Sequence, residues 1–199
     1  MRIIEPRVSE VSALAHFERR EWKNLWGLFR VRSDPTKSPR LPRTQLVWLP
    51  HYIVTVLVDS KIGPGEIDVS VEAHSGSFAI FEMHENLEEK DRVEGEVFDL
   101  KIDEKEAVEI GRRELLKTIL RRRGQREKPA IVGSGKVDLF YYPFWIYCYE
   151  RRRGLLDIQI YDAARGEKGG ARTKVGILSG LIGSDSEARA SLEKFETKQ

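Results

Sequence analysis

Residues 140–160, FYYPFWIYCYERRRGLLDIQI, place the tightest constraint on what this chain can fold into. Successive strand residues point to opposite faces, so Trp145, Tyr147 and Tyr149 share one face and Phe144, Ile146 and Cys148 the other. Both faces are largely apolar, which requires cover on both sides of the sheet that holds the strand. The basic turn through Arg153-Gly154 and the apolar run from Leu155 to Tyr161 complete a predicted hairpin.

A chain of 199 residues fits one substantial domain or two small ones. Its 40 % apolar and 33 % charged residues are the mixture expected of a water-soluble globular protein, and no run of about 18 apolar residues suggests a membrane span. The start, Met1-Arg2-Ile3-Ile4-Glu5-Pro6-Arg7, has no apolar signal-peptide core, so a cytoplasmic location is expected. With Cys148 as its single cysteine, the chain forms no internal disulfide; between Tyr147 and Tyr149 the thiol reads as a buried apolar side chain.

The net charge of +2 hides local asymmetry. Residues 1–43 carry ten bases against five acids, residues 82–99 eight acids against two bases, and residues 117–128 are basic again. Such segments can attract one another within a molecule or between subunits.

Along the chain, Val11, Leu14, Ala15, Trp22, Leu25, Trp26 and Phe29 recur at helical spacing after a Ser9 N-cap, and the helix is expected to stop before Asp34-Pro35. Ser33 to Arg43 reads as a proline-rich, basic connector. Strands follow at Trp48–Asp59, about Ile67–Ala73 and Phe78–Met83, with a turn at Gly63-Pro64-Gly65. The acidic stretch Asn86 to Gly95 reads as a connection, and Asp103-x-x-Glu106 opens a second helix whose Val108, Gly111, Leu115 and Ile119 share a face. Arg121, Arg122 and Arg123 close it, where bases complement the negative helix end. Gly133-Ser134-Gly135 reads as a flexible connector, Ala171 to Leu178 as a third strand of the second half, and Ser184-x-x-Glu187 as the start of a terminal helix.

Setting Pro50 against Pro143 aligns Tyr52 with Trp145, Val54 with Tyr147 and Val56 with Tyr149, and Asp68-Val69-Ser70-Val71 then matches Asp157-Ile158-Gln159-Ile160. The order helix, strand, strand, strand thus recurs, and the fold class expected is α+β: two related helix-plus-antiparallel-sheet units, residues 1–100 and 101–199. With Glu104-Lys105-Glu106-Ala107-Val108 opening a helix and Leu156 to Ala163 preceding Gly166, the repeat resembles tandem PepSY-like or cystatin-like α+β modules. That resemblance implies helices packed on curled antiparallel sheets and, for the PepSY case, a binding or inhibitory role.

No complete catalytic, metal or nucleotide signature is present. Gly133-Ser134-Gly135-Lys136 lacks a phosphate loop's first glycine, which is Ala130, and its hydroxyl, which is Val137. His51, His74 and His84 have no zinc-ligand spacing relative to Glu82 or Glu85, and Ser75-Gly76-Ser77 has no nucleophile-elbow setting. No cofactor is expected.

The strongest site-like combination is Tyr147, Tyr149, Arg151, Arg152 and Arg153 together with Arg121, Arg122 and Arg123, because aromatic faces stack on bases and guanidinium groups contact phosphates. Three readings stand: a noncatalytic protein-binding or assembly module that self-associates or takes a protein partner, a nucleic-acid-binding protein using those residues, and an enzyme with a site invisible in sequence.

Overall fold

The computed structural model describes residues 1–18, 43–121, 128–151 and 155–181, with the backbone alone at 150, 151, 155 and 156. The fold is α+β with a mostly antiparallel sheet. The chain divides into two compact units, Met1–Pro6 with Val47–Pro143 and Arg7–Leu46 with Phe144–Gln199.

The first unit is organised by a long hairpin, β2 (Arg43–Ser60) and β3 (Gly63–Glu72), in antiparallel register from His51↔Glu72 to Ser60↔Gly63. Gly63 adopts φ 121°, a conformation that favours glycine, so the turn falls at Lys61-Ile62, just before the expected Gly63-Pro64-Gly65. Beyond β3 lies β4 (Phe78–Ile80), shorter than expected. On the other side of β2 come the first half of β7 (Ala130–Arg151), then β1 (Arg2–Ile4) and β5 (Leu87–Glu89); the two-residue β6 (Glu96–Val97) pairs with Val47 and Trp48 of β2.

The sequence pattern misses β1, β5 and β6. They are two or three residues long, too short for a period to register, and are held by backbone pairing. The acidic connection expected at 86–95 therefore contains an edge strand. The expected flexible connector at 133–135 is a correction of another kind: Gly133 and Gly135 lie inside β7, where their bare backbones approach Leu57 and Thr55.

Helix α2 (Glu104–Arg121) lies on this sheet. Asp103 accepts the Glu106 amide at 2.8 Å, the capping contact the sequence announces. Ala107, Ile110, Leu115 and Ile119 pack with Tyr52, Val54, Val56 and Val58 of β2 and Val69 and Val71 of β3. Gly111 permits the closest approach, because a Cβ there would lie 3.1 Å from Val69 Cγ2. Full burial of such aliphatic side chains contributes about 1.5–3 kcal/mol each.

In the second unit α1 (Glu10–Glu18) is capped by Ser9, whose Oγ accepts the Ser12 amide at 3.3 Å. It buries Ala13 and Phe17, whereas Val11 and Ala15 of the expected stripe are exposed. The rest of that stripe, from Trp22 to Phe29, lies outside the described residues, as do the connector before Arg43 and the expected helix beginning at 184. The second half of β7 pairs with β8 (Leu155–Asp162) in the expected hairpin, Trp145 opposite Tyr161 and Cys148 opposite Ile158. Residues 171–181 are helical (α3), which corrects the expected strand at 171–178: Ile177 and Leu181 are buried one helical turn apart.

Candidate functional site

The two faces of the aromatic strand differ as its alternation demands. Phe144, Ile146 and Cys148 are buried, while Trp145, Tyr147 and Tyr149 are partly covered. Trp145 Nε1 donates to the Val8 carbonyl at 2.8 Å, and Phe17 of α1 stacks on Tyr147 with ring centroids 5.5 Å apart. Tyr149 donates its hydroxyl to Asp157 at 2.8 Å, and Lys174 of α3 meets the other carboxylate oxygen at 2.6 Å. Two rings expected to stack on nucleic-acid bases are thus engaged with their own unit. The Arg151 backbone closes β7, and its side chain, like Arg152, Arg153, Arg122 and Arg123, lies outside what the structure describes. Arg121 is exposed at the end of α2.

The first unit carries a polar network on β2 and β3. His51 Nδ1 lies 2.9 Å from Ser70 Oγ, Thr55 donates to Asp68 at 2.6 Å, and His84 Nε2 meets the second Asp68 oxygen at 3.0 Å. His51 also packs against Phe140 and Tyr142. Its Nε2 is shielded from solvent and has no hydrogen-bond partner among the described residues, and burial pushes its pKa down to about 3. Ser70 is 7 % exposed. Glu72, almost fully buried, accepts the His74 and Ser75 amides and the Ser75 hydroxyl, which ties the turn after β3. No group of three or more His, Cys, Asp or Glu suited to a metal occurs among the described residues, and no described helix is long and apolar enough to cross a membrane.

The surface feature that stands apart is the outward side of α2. Leu115 and Ile119 face the core, but Leu116 and Leu120, each one residue later, are 43 % and 56 % exposed. Residues four apart are helix neighbours, so Arg112, Leu116 and Leu120 form one row and Arg113, Lys117 and Arg121 the row beside it. An apolar ridge therefore runs alongside a basic one. Glu114 bonds Lys117 at 2.6 Å and Arg113 at 3.2 Å; the Lys117 contact chiefly holds its carboxyl below the usual range. From 112 to 121 four bases face one acid, and Arg112 also pairs with Glu109 at 3.8 Å. Lys128 adds a further base, its ammonium donating to the Leu120 carbonyl at the negative helix end.

Sequence reading found Arg121 and missed Leu116, Leu120, Arg112, Arg113 and Lys117. The available signal was the doubled leucine row: core contact needs 115 and 119, leaving 116 and 120 unclaimed. Compared with protein-family models, curated proteins and solved structures, the chain finds no match.

Proposed function

We propose that this protein is a noncatalytic binding module that takes a protein partner on the outward face of α2. The observation that carries the reading is the pair Leu116 and Leu120, exposed in one row beside Arg113, Lys117 and Arg121. Isolated surface leucines need no explanation, but two in register along a rigid helix, flanked by cations, match an amphipathic segment whose apolar side chains are bordered by carboxylates. Apolar burial supplies affinity at such a face and the charges supply register and speed of encounter.

Fluorescence anisotropy with a synthetic acidic Glu/Leu amphipathic helix tests this. The expected result is saturable binding that weakens about tenfold or more in Leu116→Asp/Leu120→Asp, roughly the effect of losing one or two buried apolar anchors. Unchanged binding in that variant overturns the placement. Titration with single-stranded RNA separates the electrostatic alternative through Arg121 and its neighbours: tight RNA binding lost on charge reversal but indifferent to the leucines replaces the protein-binding reading.

A further inference from the structure

The first unit carries the chemical complement of the α2 face at the opposite end of the same helix. From 94 to 104, five acids, Glu94, Glu96, Asp99, Asp103 and Glu104, stand against the single base Lys101. Two large apolar residues are exposed in this segment, Val97 at 42 % and Leu100 at 46 %. The segment is anchored rather than loose: β6 pairs with β2, Trp48 Nε1 donates to the Glu94 carbonyl at 2.7 Å, and the Lys101 and Ile102 amides donate to the Ala73 carbonyl at 2.9 Å. Exposed Val97 and Leu100 are thus held among acids just before α2, and exposed Leu116 and Leu120 among bases toward its end.

One copy cannot bring these together. Leu116 and Leu120 lie roughly 18–24 Å along the axis from the start of α2, and the helix between is rigid. Two copies laid with their α2 helices antiparallel set the start of each helix beside the end of the other, an isologous arrangement that closes a dimer.

We infer that the occupant of the α2 face is a second copy of this chain, whose 94–104 segment sets Val97 and Leu100 against Leu116 and Leu120 and its carboxylates against Arg112, Arg113, Lys117 and Arg121. This rests on the reading of that face as a docking surface and supplies its partner. Charge complementarity aligns the copies, and burial of four apolar side chains at each of the two contacts holds them.

The test is a charge swap followed by sedimentation equilibrium on the full chain. The wild type is expected to dimerise reversibly, more weakly at high salt. Arg113→Glu/Lys117→Glu/Arg121→Glu sets acid against acid, and Glu94→Lys/Asp99→Lys sets base against base, so each variant alone is expected to dimerise at least about tenfold more weakly. Mixed one to one they restore attraction at both contacts, and heterodimer forms at near wild-type strength. Independently of any variant, zero-length crosslinking of mixed 14N- and 15N-labelled wild-type chains is expected to join Lys117 of one isotope to Asp99 of the other. A wild type that stays monomeric up to about 1 mM, the range of weak association, overturns the inference, as does a mixture that fails to recover. If such a monomer still binds the acidic helix through Leu116 and Leu120, only the second copy is excluded; if it ignores that helix too, the docking face goes with it.

Discussion

Tyr149 and Asp157 stand directly opposite one another on β7 and β8, and the phenol hydroxyl donates to the carboxylate at 2.8 Å. Burial pushes the Asp157 pKa up, but Lys174, this hydroxyl and the Ile158 amide together outweigh it and hold the carboxyl below its ordinary value. The group's folded pKa is depressed, so its contribution is present above the ordinary carboxylate range and is lost as pH falls through the folded value.

Tyr149→Phe is therefore expected to cost about 1 kcal/mol near neutral pH, the worth of a hydrogen bond to a charged group with part of its surface wet. Its stability should also fall less on acidification than the wild type's, because without the hydroxyl the folded Asp157 pKa lies closer to its unfolded value. Urea unfolding across an acid series reads both effects; an identical acid limb in the two proteins contradicts the coupling.

His51 gives the opposite kind of group, a base held neutral. Its pKa is pushed down to about 3 by burial from an ordinary value of 6.5. Between those values the unfolded chain takes up a proton that the native chain refuses, so stability is complete above pH 6.5 and declines as pH falls toward 3, by up to about 1.4 kcal/mol per pH unit. His51→Leu should be about 1 kcal/mol less stable at pH 7, because Ser70 loses its partner, yet should show a flatter decline between pH 6.5 and 4. Denaturant midpoints at pH 7 and pH 5 decide it, and a decline as steep as wild type rules His51 out as the source.

Gly111 is a helix residue chosen by its neighbours. A Cβ would stand 3.1 Å from Val69 and 3.6 Å from Val71, so Gly111→Val forces α2 off β3 despite the better helix propensity of any side chain. The expected loss is about 1–3 kcal/mol, seen as a lower thermal midpoint, and a stabilised variant contradicts the close-approach account.

Cys148, 1 % exposed opposite Ile158, should resist thiol reagents in the native state. Its labelling rate should rise with urea in step with unfolding. Rapid labelling without denaturant would mean that the second unit opens locally at the β7–β8 hairpin.

The elements legible in the sequence were those whose side chains both form and bury the structure. Val54, Val56 and Val58 announce β2, Trp145 to Tyr149 announce β7, and Asp103 with Glu106 announces α2. The short strands β1 and β5 were not legible, because each spans three residues, too few for a period of two to register, even though Ile3 and Ile4 are fully buried. Residues 171–181 misled because Val175, Ile177 and Leu178 raise strand propensity, whereas the pair that matters, Ile177 and Leu181, is set by burial. The candidate site was half legible. Arg121 could be read, but the exposure of Leu116 and Leu120 depends on α2 turning 115 and 119 toward the sheet, a choice fixed only by the strands beneath.

Within the first unit, β1 lies between β5 and β7, and Ile3 pairs in parallel with Tyr141. During synthesis β1 must therefore wait for nearly the last part of that unit before its ladder is complete. The β2–β3 hairpin, local in sequence, can form as soon as it emerges, whereas β1 stays an open edge until β5 and β7 emerge. The order of its strands thus makes the β1 ladder a highly non-local pairing, in contrast to the β2–β3 hairpin.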